Sequence, residues 1–266
     1  MRLRHVALLI AGLLWGPLLM AQPPRASAAN LLGGVEGAQL AKMWELKGTL
    51  YHVQGMDLDD QHIWITSVDI ASRKGYLHQF SRATAKFERQ VELTDGVRFH
   101  PGGLSIDGDS IWVPVAEYKP HSSAELVELD KRTLTVKRKI VVGDHIGCVA
   151  VTPDALIAGN WGSRQFYVFN HDGKQLRVVD NASPNQYQDI KYVDGNLVAS
   201  GNLSHTSGAV DWYRWPSMKL LRTVHAGETD RGRPLTGEAM ALKGNHLFLI
   251  PEDGPSRVFE FLLNKP

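Results

Sequence analysis

His100-Pro-Gly-Gly-Leu-Ser-Ile-Asp-Gly-Asp-Ser-Ile-Trp-Val113 carries the pattern from which the rest of this 266-residue chain can be read. A polar residue opens the stretch, a small step follows, and an apolar alternation runs to Ile106. Asp107-Gly108-Asp109 separates that run from a second one beginning at Ile111. Two apolar runs joined by an Asp-Gly turn predict a β-hairpin, because glycine and aspartate accept the positive φ that tight turns demand.

The pattern returns four more times. His52-Val-Gln-Gly-Met-Asp-Leu58 is followed by Ile63-Trp-Ile65, and His145-Ile-Gly-Cys-Val-Ala-Val151 by Leu156-Ile-Ala158. Tyr187-Gln-Asp-Ile-Lys-Tyr-Val193 precedes Leu197-Val-Ala199, and Thr236-Gly-Glu-Ala-Met-Ala-Leu242 precedes Leu247-Phe-Leu249. Successive starts lie 48, 45, 42 and 49 residues apart, which is the period of a β-propeller blade. Each copy continues into a third strand: 75–81, 124–129, 164–170, 209–215 and 257–262. Copies one to four add a fourth, at 87–93, 135–142, 176–179 and 219–224. Copy five runs out of chain, and Lys42–Leu50 precedes copy one with no blade of its own. The expected fold is therefore all-β: a single propeller of five four-stranded blades, closed by the N-terminal strand. Closure removes exposed strand edges. A six-bladed ring needs a further copy, and residues 29–40 are too few for one; an open sandwich does not require a fivefold repeat.

Composition narrows the function classes. Twenty-nine basic and 28 acidic residues give a formal charge of +1, which excludes a strongly electrostatic nucleic-acid binder. One cysteine excludes a disulfide framework and any multi-thiolate metal site. Arg2 and Arg4 precede an apolar run from Val6 to Met20, and Ala26-Ser-Ala28 follows. That order predicts a secretory signal peptide at 1–28, a short lead at 29–40 and the propeller at 41–266. The apolar run is short for a membrane span of about 20 residues. Cleavage removes three arginines and no acid, leaving a charge of −2. The product is expected to be secreted or periplasmic, monomeric, and without a membrane span.

Equivalent positions of a propeller converge on the mouth of its channel. Copy starts place His52, His100, His145, Tyr187 and Thr236 there, with Gln54, Asp189 and Glu238 two residues on. Second-strand ends supply Asp69, Glu117, Asn160, Asn202 and Glu252. Convergent polar groups at a concave mouth mark a ligand site, and the plainer reading is that they hold ordered water and satisfy backbone. Glu117, Asn160, Asn202 and Glu252 are oxygen donors suited to Ca²⁺ or another divalent cation. His100 and His145 are the candidate catalytic bases. His52, Gln54, Trp161, Tyr187, Asp189 and Glu238 are the expected ligand-binding set. Trp161 either floors a pocket or fills a gap between blades, and Arg164 can reach Glu117 across two blades. Cys148, inside an inner strand, is expected to be core.

His100-Pro-Gly-Gly-Leu104, Trp112-Val-Pro-Val-Ala-Glu-Tyr118, Asp144-His-Ile-Gly147, Gly159-Asn-Trp-Gly-Ser-Arg164 and Tyr187-Gln-Asp189 together resemble an uncharacterised family of secreted, mainly bacterial propeller proteins. That resemblance implies the fold and no assigned reaction. A weaker likeness is to the calcium-dependent lactonases and the strictosidine-synthase group. These are six-bladed propellers, and the likeness implies a channel metal on Glu117, Asn160, Asn202 and Glu252. Two functions follow as expectations. One is a small ligand held at the channel mouth, with a divalent cation and hydrolase or lyase activity. The other is a non-catalytic envelope scaffold presenting Glu117–Ser123 and His225–Pro234 to another protein.

Overall fold

The computed structural model describes residues 33–264, so the expected signal peptide at 1–28 lies outside the described residues. Five antiparallel sheets form the blades of a propeller. Strand β1 (Ala38–Glu45) comes first in the chain and belongs to the last blade. Blade 1 is β2 (His52–Leu58), β3 (His62–Asp69), β4 (Lys74–Ser81) and β5 (Phe87–Glu92). Blade 2 has an interrupted inner strand, β6 (Arg98–Pro101) and β7 (Ser105–Asp107), then β8 (Ser110–Glu117), β9 (Ala124–Asp130) and β10 (Val136–Val142). Blade 3 is β11 (Ile146–Val151), β12 (Leu156–Asn160), β13 (Gln165–Phe169) and β14 (Gln175–Asp180). Blade 4 is β15 (Gln186–Val193), β16 (Asn196–Asn202), β17 (Gly208–Arg214) and β18 (Lys219–Ala226). Blade 5 is β19 (Ala239–Lys243), β20 (His246–Ile250) and β21 (Arg257–Leu263), completed by β1.

The closing strand is the expected one, shifted. It pairs Ala38 with Leu263 through Glu45 with Arg257, four residues earlier than the predicted start at Lys42. Ala38–Leu40, assigned by sequence to the lead, belong to the ring. Val35 extends the closure by bridging to Ala226.

Packing explains why the blades stay together. The buried apolar residues form five clusters, each at a seam between neighbouring blades. Trp64 and Leu77 of blade 1 pack on Leu104, Ile111 and Val113 of blade 2. Trp112 packs in the next seam and Phe166 in the one after. Met56, Ile63 and Phe80 meet Ala241, Phe248 and Val258 where blade 5 closes on blade 1. Fully burying one such side chain contributes about 1.5–3 kcal/mol, so every seam depends on several of them.

The channel is bridged at its centre. Asp189 is 0% exposed; its Oδ2 accepts the backbone N–H of Met56 (3.0 Å, blade 1) and of Met240 (3.1 Å, blade 5). Its Oδ1 accepts from Lys191, whose ammonium also donates to the Leu104 carbonyl of blade 2 at 2.7 Å. Gly103 N–H donates to Gly147 O (2.8 Å), and Val149 N–H returns to Gly103 O (2.9 Å), tying blade 2 to blade 3. Only glycine fits there. A Cβ on Gly103 would lie 2.5 Å from Asp189 Oδ1, and one on Gly102 would overlap the Gly147 carbonyl. This is the physical reason for Pro-Gly-Gly at 101–103: blade 2 interrupts its own inner strand to reach the axis. Cys148 is buried core, as expected, and burial pushes its thiol up to about 12.

Candidate functional site

The mouth of the bridged channel is a two-lobed cup. The smaller lobe, about 210 Å³, is lined by His52, Gln54, His100, Tyr118, His145 and Trp161 among others. The larger, about 370 Å³, lies beside Asn202, His205, Arg233 and Glu252. Gln186 and Glu238 line both.

One half of the smaller lobe is aromatic. Tyr118 follows β8 and Trp161 follows β12, in the loops that lead to the third strands. A positive φ of 69° at Gly162 turns the chain immediately after Trp161. Trp161 stands edge-on to His145 with ring centroids 4.5 Å apart, and Tyr118 lies 4.5 Å from His100. The two imidazoles are 5.5 Å apart. Tyr118 is 41% and Trp161 42% exposed, so both offer a face to solvent and ligand. Trp161 therefore walls the cup.

Both imidazoles are neutral. His145 Nδ1 donates to the Glu117 carbonyl at 2.8 Å, which leaves Nε2 as an acceptor. Burial lowers its pKa, opposed by the carbonyls of Glu117 and Lys119. His100 is 8% exposed, and its buried Nδ1 has no hydrogen-bond partner. Burial, then the neighbouring His145 and His52, take its pKa down to about 3. A base that weak abstracts protons poorly near neutral pH, so the base role expected of His100 does not fit its surroundings. Glu238 moves the other way. Burial, and then the Glu252 carboxylate, push its pKa well above the usual carboxylate range, with Arg233 pulling against them.

The opposite half joins blades 1 and 5. His52 begins β2, Glu238 precedes β19 and Glu252 follows β20. His52 Nδ1 contacts Glu252 Oε2, and His52 Nε2 lies 4.0 Å from Glu238 Oε1.

Strand register explains which expected residues arrive and which do not. In blade 1, Val53 pairs with Ser67 and Gly55 with Thr66, leaving Gln54 as a bulge that turns into the cup. In blade 4, Tyr187 pairs with Gly201 and Asp189 with Ser200, leaving Gln188 as the bulge. Tyr187 thus corresponds to Val53, and Asp189 to Gly55. The repeat as read from sequence slips by one residue in copy four, and such a slip exchanges the faces of a strand. Asp189 consequently sits at the axis and does not line the cup; burial pushes its pKa up to about 6, against Lys191 and the backbone N–H groups of Met56 and Met240. Tyr187 lines the cup, yet its hydroxyl is turned away to Asp211 and Tyr213. Gln186 and Gln188, overlooked in sequence, take the mouth positions.

The four oxygen donors do not share one lobe: Asn160 lines the smaller, Asn202 and Glu252 the larger, and Glu117 neither. Glu117, Asn160, Asn202 and Glu252 lie four, two, three and three residues beyond the core residues Val113, Ala158, Ala199 and Leu249. Unequal offsets send them to different places. Glu117 bonds Lys119 (2.9 Å) and Ser123 (2.9 Å), which hold its carboxyl below the usual range. Asn160 is occupied by Asp144 and by the Gln165 N–H. Asn202 donates to Gly237 O at 3.3 Å. The calcium cage implied by the lactonase likeness does not fit these residues. Glu252 joins His52 and Glu238. Arg164 does not reach Glu117; it bonds the carbonyls of Gly162, Ser183 and Asn185.

Residues 65–224 match the model of a family of unknown function, DUF6454. That span includes His100, Tyr118, His145 and Trp161 but not His52, Glu238 or Glu252. No curated protein matches the chain in sequence. Among solved structures, the chain is similar to a glutaminyl cyclase of Myxococcus xanthus, at 16% identity and a TM-score of 0.59. The similarity covers 84% of this chain and 95% of that one. It is also similar to the Pan2 WD40 domain of Neurospora crassa, at 11% identity and a TM-score of 0.50, over 80% of this chain and 63% of that one. At these identities the likeness shows the propeller fold. No helix among the described residues is long and apolar enough to cross a membrane.

Proposed function

Because the chain belongs to DUF6454, a family of unknown function, we propose its function from the cup itself: it binds a small organic molecule that presents hydrogen-bond donors and a flat face. The observation that carries this is the pairing, in one blind lobe, of two exposed aromatic faces with neutral imidazoles, one of which has a buried nitrogen without a partner. No Lys or Arg lines that lobe, so nothing there neutralises a phosphate or carboxylate. Aromatic stacking contributes about 0.5–1.5 kcal/mol per pair beyond burial. Glu238, with its raised pKa, supports proton transfer in a hydrolase or lyase acting on such a ligand.

The test is a thermal-shift and tryptophan-fluorescence screen in EDTA. The panel compares cyclic amides, sugars and a peptide with an N-terminal glutamine against inorganic phosphate and citrate. The peptide is included because a structure of similar fold is named a glutaminyl cyclase. Donor-bearing compounds are expected to raise the melting temperature and quench Trp161, and Trp161→Ala to lose both effects. Stabilisation by the anions alone would overturn the reading.

Export is part of the proposal and rests on residues 1–28; N-terminal sequencing of exported protein should begin at Ala29. The envelope-scaffold reading draws on a rim where Tyr118, Trp161 and Leu203 are all exposed. Leu203→Asp separates the two, since it should abolish capture of a partner protein and spare small-molecule binding in the smaller lobe, which Leu203 does not line.

A further inference from the structure

We propose that His52, Glu238 and Glu252 form a seat for one divalent first-row transition ion, such as zinc, at the seam where blade 5 closes on blade 1. This goes beyond the organic-ligand reading, and neither requires the other.

The argument starts from the ligand atoms. One imidazole nitrogen and two carboxylate oxygens lie within 4.8 Å of one another. An ion bonded to each at about 2.0–2.2 Å needs only small side-chain rotations to gather such a group. Three protein ligands with a remaining open position is the arrangement of catalytic zinc sites. The nitrogen ligand and the low ligand number favour a transition ion over calcium, which takes six to eight oxygens.

Glu238 and Glu252 cannot both stay ionised side by side unless a cation lies between them; without one, a proton on Glu238 relieves the repulsion, and an ion would displace that proton. Among the described residues, neither Glu238 nor Glu252 has a Lys or Arg within ion-pair distance, their paired group being His52, although Arg233 lines the larger lobe beside them. The backbone carrying the seat is fixed. Met56, four residues after His52, and Met240, two after Glu238, both donate their N–H to the same Asp189 carboxylate. Strands β2 and β19 are thus pinned to one point, and their mouth ends cannot drift apart.

A second observation points to a ligand at the same place. His100 is more than nine-tenths buried, lines the same lobe as His52 and Glu238, and has no partner for its Nδ1. That nitrogen is closed off from solvent, and a rotation of the ring toward the lobe lets the neutral imidazole offer a lone pair to whatever the ion carries on its open position. The smaller lobe then becomes the space in which a ligand's oxygen meets the ion.

Isothermal titration of the EDTA-stripped full chain with ZnCl₂ tests the proposal. One zinc per chain is expected, with CaCl₂ binding about 100-fold more weakly. His52→Ala and the isosteric Glu252→Gln should each weaken zinc by about 30-fold or more, reflecting the loss of one of three ligands. His171→Ala, in the turn on the opposite face, should leave it unchanged. Co²⁺ should give visible absorption bands that His52→Ala abolishes. Melting curves verify that each variant is folded, and Glu252→Gln preserves shape if His52→Ala does not. Absence of saturable zinc binding, wild-type affinity in both variants, or calcium binding as tight as zinc would each overturn the site. The fluorescence screen in EDTA reads the organic ligand separately, so either idea can fail alone.

Discussion

Asp189→Ala is the substitution on which the reading of the ring's centre can be judged. The change removes the acceptor of three buried N–H groups, those of Met56, Met240 and Ile190 at 3.0, 3.1 and 2.9 Å, and the counter-charge of Lys191. A buried donor left unpaired costs about 1–3 kcal/mol. Breaking a buried ion pair from one side costs about 3–5 kcal/mol. Lys191 retains Leu104 O at 2.7 Å and Ile190 O at 3.2 Å, which holds its cost to the lower end. The expected loss is about 5 kcal/mol, a large part of the 5–15 kcal/mol by which domains are stable. For a chain of this size that lowers the melting temperature by about 10–20 °C. Urea unfolding followed by circular dichroism and fluorescence measures it. Asp189→Asn, which keeps one carbonyl acceptor, should fall between wild type and Asp189→Ala. Adding Lys191→Met to Asp189→Asn should recover stability, because the unpaired ammonium is then gone. A loss below about 1 kcal/mol for Asp189→Ala, with an unchanged urea slope, would refute the reasoning. Asp189 would then be free for a ligand, as the sequence first implied.

Three further outcomes follow from the same structure. Gly103→Ala places a Cβ 2.5 Å from Asp189 Oδ1 and should cost several kcal/mol, read as a shift in urea midpoint; a shift within error would show that the axis can relax. Lowered histidine pKa values make stability fall with acid: His100 (about 3) and His78 (about 4) stay neutral in the fold, while the unfolded chain takes up protons below about 6.5. Each contributes about 1.4 kcal/mol per pH unit in that window; Asp189, raised to about 6, works oppositely between about 4 and 6, and so does Glu238, whose pKa is also raised. His100→Phe should remove one such slope, and denaturation at pH 4, 5, 6 and 7 reads it. Deleting residues 33–46 should open blade 5 along β21 and give a self-associating or unfolded product in size-exclusion chromatography, whereas a stable monomer would show that β1 is dispensable.

The strands were legible because propeller pairing is local. Apart from β1, and β6, which pairs with β8 past the short β7, each strand bonds to a neighbour in sequence through a short connection, so hairpin signals such as Asp107-Gly108-Asp109 and period-two patterning fix it. The closing strand was placed four residues late because its partner, β21, is more than 200 residues away and sets the register. The site was legible in part. His52, Gln54, His100, His145, Trp161 and Glu238 do meet at the mouth. Tyr118 carries the same sequence signal as Trp161, an aromatic residue directly after the polar end of a second strand.

The sequence by itself determined the five blades, their strands and the face on which polar groups converge, since each follows from a pattern repeated within about 45 residues. Tertiary structure alone decided which of those groups share a cavity. A β-bulge at Gln188 moves Asp189 from the expected mouth position to the axis, and unequal offsets scatter the four oxygen donors. Ring closure brings His52 beside Glu238 and Glu252 from opposite ends of the chain. A one-residue change of register reverses a side chain, and closure joins residues that no local pattern relates.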